Sequence, residues 1–341
     1  MLMNWPNFDF PTDLQENSED IGARGVLVDR NSGKVKSRVG LMFSLYFAEP
    51  WTRAARQGLL DVLTEYLKEF GRDATHYQYA GQKRLRKYTW PGLPPGYDEA
   101  IDATEHDRVH MFVQCRNPDS SDDPTDTLYM GMGDPVDDIR TRSSGVKFYL
   151  PIKWLEEPDY VAGFVTRCAG YVHAIHGSGG LGALSSPGLE LSTKAYWLPW
   201  LQAYPALEYD SSGSYLARVS GVPDAELDSA WRLARASNWL TIVGNDLVAC
   251  VGGRQAIEDQ LIPGMKLYDY AGGVIIRASE RPVLGNAANG GIPDGYRVAA
   301  RIIKPVRFEG YGYGVIQSPP GYADGKEAGV RLTLDWLRRF D

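Results

Sequence analysis

The sequence predicts an α+β fold made mostly of antiparallel sheets and hairpins, with helices packed on them. Three observations carry this. The apolar runs GVLVDR (25–30) and KVKSRVGLMFSLYF (34–47) flank Asn31-Ser32-Gly33, residue types suited to the positive-φ positions of a hairpin turn. WLTIVG (239–244) and LVACVGG (247–253) flank Asn245-Asp246, so a second hairpin is expected there. Strand–helix–strand units are few, which disfavours a doubly wound parallel sheet.

The elements follow in chain order. Residues 1–20 are polar and hold Pro6 and Pro11, so they are expected to be an irregular lead-in. After the first hairpin, Ala55, Leu59, Val62, Leu63, Tyr66, Leu67 and Phe70 recur at helical spacing, and Gly71 ends the stripe. Residues 72–108 read as loop, with WPGLPPG at 90–96. VHMFVQC (109–115), TLYMGM (127–132) and SGVKFYLPI (144–152) read as strands, and Pro158-Asp159 opens a helix. GSGGLGALSSPG (177–188) is either a boundary or a strand squeezed tightly into a sheet. Asp224 is placed to cap a helix carrying Leu227, Ala230, Trp231 and Ala234. GGVIIRA (272–278) is a strand, and a helix is expected near 294–304. The stretch from Val330 to Phe340 fits strand alternation and helical spacing about equally.

The expected organisation is the lead-in 1–20, an α+β half over 21–188 and a second over 189–341, packed as one unit. Each half has strands, a hairpin and one or two helices, in keeping with a weak internal duplication. At 43% hydrophobic and 23% charged residues, the composition is that of a soluble globular chain. Cys115, Cys168 and Cys250 stand far apart, which suggests a reducing compartment rather than a disulfide framework. No signal peptide or membrane-length apolar run is visible, so a cytoplasmic location is expected. The net charge of −7 argues against nucleic acid and for a basic partner.

The motifs that suggest chemistry are incomplete. HDRVH (106–110) places His106 and His110 four apart, but zincin chemistry needs a helix and a glutamate between them. His173 and His176 have no cysteine or carboxylate at ligand spacing, so no metal is expected. HGSGG (176–180) lacks the leading glycine of a nucleophile elbow. A hydrolase using His106/His110 or His173/His176 is the alternative class. GNAANGG (285–291) keeps the glycine spacing of a P-loop but has Gly291-Ile292 where Lys-Ser/Thr is required. No cofactor follows from it, and the glycines read as turns. KRLRK (83–87) beside Tyr88 and Trp90 is the one dense basic cluster, read as a solvated loop or partner contact.

The acidic segments point to a partner. NPDSSDDPTD (117–126) carries Asp119, Asp122, Asp123 and Asp126 with no cation among them, displayed between two strands. LEEPD (155–159) adds Glu156, Glu157 and Asp159. Such a surface would steer onto a cationic cleft.

YPALEYDSS (204–212), NWLTIVGNDLVACVGG (238–253), GGVIIRA (272–278) and RPVLGNAANGGIPDGYRVAARIIKPVRF (281–308) resemble the type VI secretion immunity proteins grouped with immunity to VRR-Nuc-type nuclease toxins. GLMFSLYF and FYLPI fit the N-terminal pattern of that family more loosely. Its loop often reads Gly-Asp-Val-Asn-Arg-Gly, whereas Gly285–Gly290 here lacks those charges. The resemblance implies a cytoplasmic, non-enzymatic protein that binds and neutralises a toxin, with no catalytic residue to carry over.

Overall fold

A computed structural model describes residues 7–116, 123–137, 144–186, 197–209, 227–286, 289–317 and 326–341. Twelve strands form one sheet: β1 (Phe8–Asp9), β2 (Val26–Asp29), β3 (Lys34–Tyr46), β4 (His76–Tyr79), β5 (Arg86–Lys87), β6 (Val109–Gln114), β7 (Leu128–Gly133), β8 (Gly145–Leu150), β9 (His176–Leu184), β10 (Leu240–Gly244), β11 (Lys266–Tyr270) and β12 (Gly273–Arg277). The main order is β11-β12-β10-β9-β3-β8-β7-β6-β4-β5, with β1 on β2 and β2 on β3. Neighbouring strands run antiparallel. The helices are α1 (Ser18–Arg24), α2 (Arg53–Phe70), α3 (Pro158–Tyr171), α4 (Trp197–Ala203), α5 (Leu227–Arg232), α6 (Asn245–Cys250), α7 (Arg254–Glu258), α8 (Asp294–Ile303) and α9 (Lys326–Leu337).

The α+β expectation holds, as do the first hairpin, the stripe of α2 and the proline-led α3. Pleat alternation on β3 sends Leu41, Phe43 and Leu45 into the large core shared with α2 and α3, and Met42 into a smaller cluster with Phe112, Leu128, Tyr149 and Leu184. Two tyrosines tie α2 to the sheet. Tyr66 donates to the Tyr149 carbonyl at 2.9 Å, and the Tyr129 hydroxyl donates to the Leu59 carbonyl at 2.7 Å.

The glycine-rich segment is the strand β9, buried along its whole length between β3 and β10. It joins strands from both halves of the chain into the same sheet. Glycine ordinarily weakens a strand interior, but here the neighbours leave no room for a side chain. A Cβ on Gly179 would lie 2.2 Å from Cδ1 of Phe43 and 2.6 Å from the Met42 carbonyl oxygen. That ring instead stacks over the glycine's position, 5.6 Å from Phe148 and 6.3 Å from Trp239. Gly179→Ala is expected to cost about 1–3 kcal/mol through overpacking, read as a lower denaturation midpoint. An unchanged midpoint would mean that β3 and β9 can move apart freely.

Three expectations are corrected, and one ambiguity is resolved. The lead-in is not wholly irregular, because β1 lies within it and α1 begins at Ser18, where the Asn17 side chain accepts from the Asp20 amide at 2.9 Å. Residues 72–108 are not all loop, since β4 and β5 cross them. LVACVGG is not a strand, so the second hairpin does not form. Leu247 and Val248 are buried on α6 while Ala249 and Cys250 are exposed, and positive-φ Gly252 and Gly253 follow the helix. Contiguous apolar residues do not distinguish a short strand from a short helix. β10 pairs instead with β9 and β12. The ambiguous tail resolves as α9, and the Asp224 cap lies outside the described residues.

Candidate partner-binding surface

The register of the sheet sets where the chain on either side of the acidic residues leaves it. Gln114 faces Leu128, Leu128 faces Tyr149, and Leu150 faces Leu41. The β6–β7 connection and the chain leaving β8 toward Glu156, Glu157 and Asp159 therefore emerge at the same end. Asp119 and Asp122 lie outside the described residues. Asp123 and Asp126 are half-buried, and Asp126 Oδ1 accepts from the Thr127 hydroxyl at 3.3 Å.

The other three carboxylates differ in their commitments. Glu156 Oε1 accepts from the Ser18 amide at 2.9 Å, at the start of α1. That hydrogen bond holds its carboxyl below the usual range. Asp159 is bonded to Arg277 and, at 3.0 Å, to Lys266; the Arg277 hydrogen bond leads in lowering its carboxyl. Arg277 is buried and also donates to Tyr268 Oη at 2.9 Å, so this pair fastens α3 to β11 and β12. Glu156 and Asp159 are thus engaged within the chain. Glu157 is exposed at the start of α3 and makes no capping bond.

The histidine pairs stand apart from any ligand set. Asp107 accepts from the Thr104 amide and hydroxyl, a turn rather than a helix. His106 is exposed, with its ring nitrogens 3.6 Å from Glu105 and 3.7 Å from Asp137, while His110 lies on β6. His173 adopts φ 46° beyond α3 and is exposed. His176 is buried at the start of β9, 3.2 Å from the Trp231 carbonyl and 4.6 Å from the Tyr46 ring. Among the described residues, no group of three histidine, cysteine or carboxylate side chains could hold a metal. Ser178 sits mid-strand in β9, away from any strand-to-helix turn.

The amides at the head of the glycine loop do meet a carboxyl group, and that group is the chain's own. Glu16 Oε1 accepts from the amides of Leu284 at 2.8 Å and Gly285 at 3.3 Å. Asn289 Nδ2 donates to the Leu14 carbonyl at 2.7 Å beside it. Burial raises the Glu16 carboxyl, and the two amides work against that rise. A long-range partner of this kind leaves no local sequence signal.

Sequence reading also missed the far end of the sheet. Arg232 borders two cavities of about 190 and 230 Å³. One is lined by Trp51, Ser144 and Trp231, the other by His173, Asn245 and Asp246. These residues are scattered along the chain and share no motif.

The fold and this loop-borne surface define an α+β protein built on one broad antiparallel sheet. The chain belongs to the TsiV family, described as type VI immunity for VRR-NUC, whose family model matches residues 59–340. The resemblance read on the C-terminal segments is borne out, and the match reaches well into the first half. Membership implies an immunity protein of a type VI secretion system whose counterpart is a VRR-Nuc toxin. A solved structure of the Pseudomonas aeruginosa T6SS protein PA0821 shares the fold, with a TM-score of 0.73 at 20% identity over 90% of this chain and 83% of that one. No curated protein matches. No helix among the described residues is long and apolar enough to cross a membrane.

Proposed function

We propose that this protein neutralises a VRR-Nuc nuclease toxin by one-to-one binding in the cytoplasm, without turning over a substrate. Family membership across residues 59–340 is the observation that carries the reading. A nuclease presents cationic surface to its phosphate substrate. The acidic residues Asp119, Asp122, Asp123, Asp126 and Glu157, on chain that continues from one end of the sheet, are complementary to such a surface. Glu156 and Asp159 hold the base of that end in place through Ser18, Arg277 and Lys266.

Titration of the cognate toxin with this protein is expected to abolish nuclease activity at near equimolar ratio. Residual activity at a large excess of the protein, or inhibition at ratios far below equimolar, would reject stoichiometric binding.

A further inference from the structure

We infer that the β4–β5 hairpin is a second contact surface, of opposite sign, which takes a carboxylate-rich segment of the partner polypeptide. The inference rests on the toxin-binding reading above for the identity of that partner. Lys83, Arg84, Arg86 and Lys87 fall within five residues of a chain whose net charge is −7. All four are exposed, and none makes an ion pair with a carboxylate among the described residues. Elsewhere the basic side chains are often paired, as Arg254 is with Asp269 and Glu258, and Arg307 with Glu309 and Asp341. Four neighbouring cations left unpaired on an acidic protein repel one another and favour an incoming anion.

The hairpin is also shaped to receive one. Tyr79, Gly81, Gln82, Lys83, Arg84 and Arg86 border a groove of about 630 Å³. β5 is the terminal strand of the sheet, so its outer edge has no neighbouring strand among the described residues. Three residues beyond Lys87, the chain carries Trp90, 37% exposed, and then Leu93, 40% exposed. Trp90 is held by a 3.2 Å bond from its indole nitrogen to the Leu67 carbonyl and by the Arg72 guanidinium 4.8 Å over its ring. A fixed tryptophan beside arginines is a favoured composition for an interface anchor.

The choice of a polypeptide over nucleic acid comes from Gln82. Its side-chain amide is shielded from solvent at the groove, and neither Nε2 nor Oε1 has a hydrogen-bond partner. The orphaned pair needs one acceptor and one donor. A peptide backbone offers both side by side, whereas the phosphate backbone of a nucleic acid offers acceptors only, its donors lying on the bases. Excess negative charge over the rest of the chain also opposes a long polyanion. The β4–β5 turn, with Lys83 and Arg84, extends beyond Tyr79, opposite Met111, whereas Lys87 on β5 pairs with His76, which faces Gln114 where the acidic connection leaves the sheet. Binding through both the acidic and the basic surface would fix the orientation of the toxin as well as its rate of capture.

The test uses the full chain, with folding checked by circular dichroism. The variant Lys83→Ser/Arg84→Ser/Arg86→Ser/Lys87→Ser is titrated against the toxin by calorimetry. Its dissociation constant is expected to rise by about 30-fold, with a shallower salt dependence. An unchanged constant overturns the inference. If that variant misfolds, Lys83→Ser/Arg84→Ser is measured in its place, and about a fivefold rise is expected; no rise overturns the inference equally. A second arm omits the toxin and titrates an oligoglutamate peptide and a short DNA duplex onto the unmodified chain. Peptide binding that the substitutions abolish supports the assignment. Tighter binding of the duplex, or no peptide binding, overturns it. Peptide capture by a chain that fails to inhibit the toxin would defeat the toxin reading and leave the hairpin's acid-binding surface standing.

Discussion

Glu208→Ala is expected to lower the unfolding free energy by about 3–5 kcal/mol, because it strands a buried cation. Glu208 is fully buried and Arg235 is 2% exposed. Glu208 Oε1 accepts from Arg235 Nη2 at 2.5 Å and from the Tyr209 amide at 3.1 Å, and Oε2 accepts from Asn238 Nδ2 at 3.0 Å. The guanidinium lies 5.5 Å from the Tyr209 ring centre and 5.3 Å from that of Trp336 on α9. The Glu208 backbone docks on β9, donating to Leu181 at 2.7 Å and accepting from Ala183 at 2.9 Å. The Glu208 backbone thus joins β9, its carboxylate ties together Tyr209, Arg235 and Asn238 ahead of β10, and Arg235 reaches Trp336 on α9. Desolvating the pair is costly, so its removal as a pair differs from breaking it. Glu208→Leu with Arg235→Met should recover most of the loss, since a matched apolar pair is often neutral. Denaturant titration of the three proteins checks this. A loss below about 1 kcal/mol for Glu208→Ala would mean that Arg235 finds another anion or water.

Replacing Asp119, Asp122, Asp123 and Asp126 together with asparagine is expected to slow association with the toxin by about tenfold at low ionic strength. Dissociation should change less, because exposed charges act mainly on encounter. The rate for the unmodified chain should fall steeply with added salt, while the rate for the variant stays nearly flat. Stopped-flow measurement across a salt series separates the two. An equal on-rate for both proteins would move the contact away from this loop without touching the family assignment. Asparagine keeps side-chain size, so a change in rate reports charge rather than shape.

Much of the fold was legible because its signals are local. Asn31-Ser32-Gly33 marked the first hairpin, the stripe ending at Phe70 marked α2, and Pro158 marked α3. Asn17 and Asp20 carried a capping signal for α1 that the polar composition around them obscured. Leu247, Val248 and Val251 lie on one helical face, yet a run of apolar residues reads as strand just as well. The acidic residues were legible by charge alone, but their commitments were not. Asp159 meets Arg277 across 118 residues and Glu156 meets Ser18 across 138, separations that no local pattern encodes.

The sequence by itself determined the family, the α+β class and the charge segregation, since each resides in residue order and composition. Only the tertiary structure decided that the glycine-rich segment is a central strand, because the need for glycine at 179 arises from the Phe43 ring across the sheet. It also decided that the amides of Leu284 and Gly285, at the head of the glycine-rich loop, are taken by Glu16 from the other end of the described chain. Both outcomes depend on which atoms meet after the chain has closed on itself, and packing of that kind is settled by long-range geometry rather than by neighbouring residues.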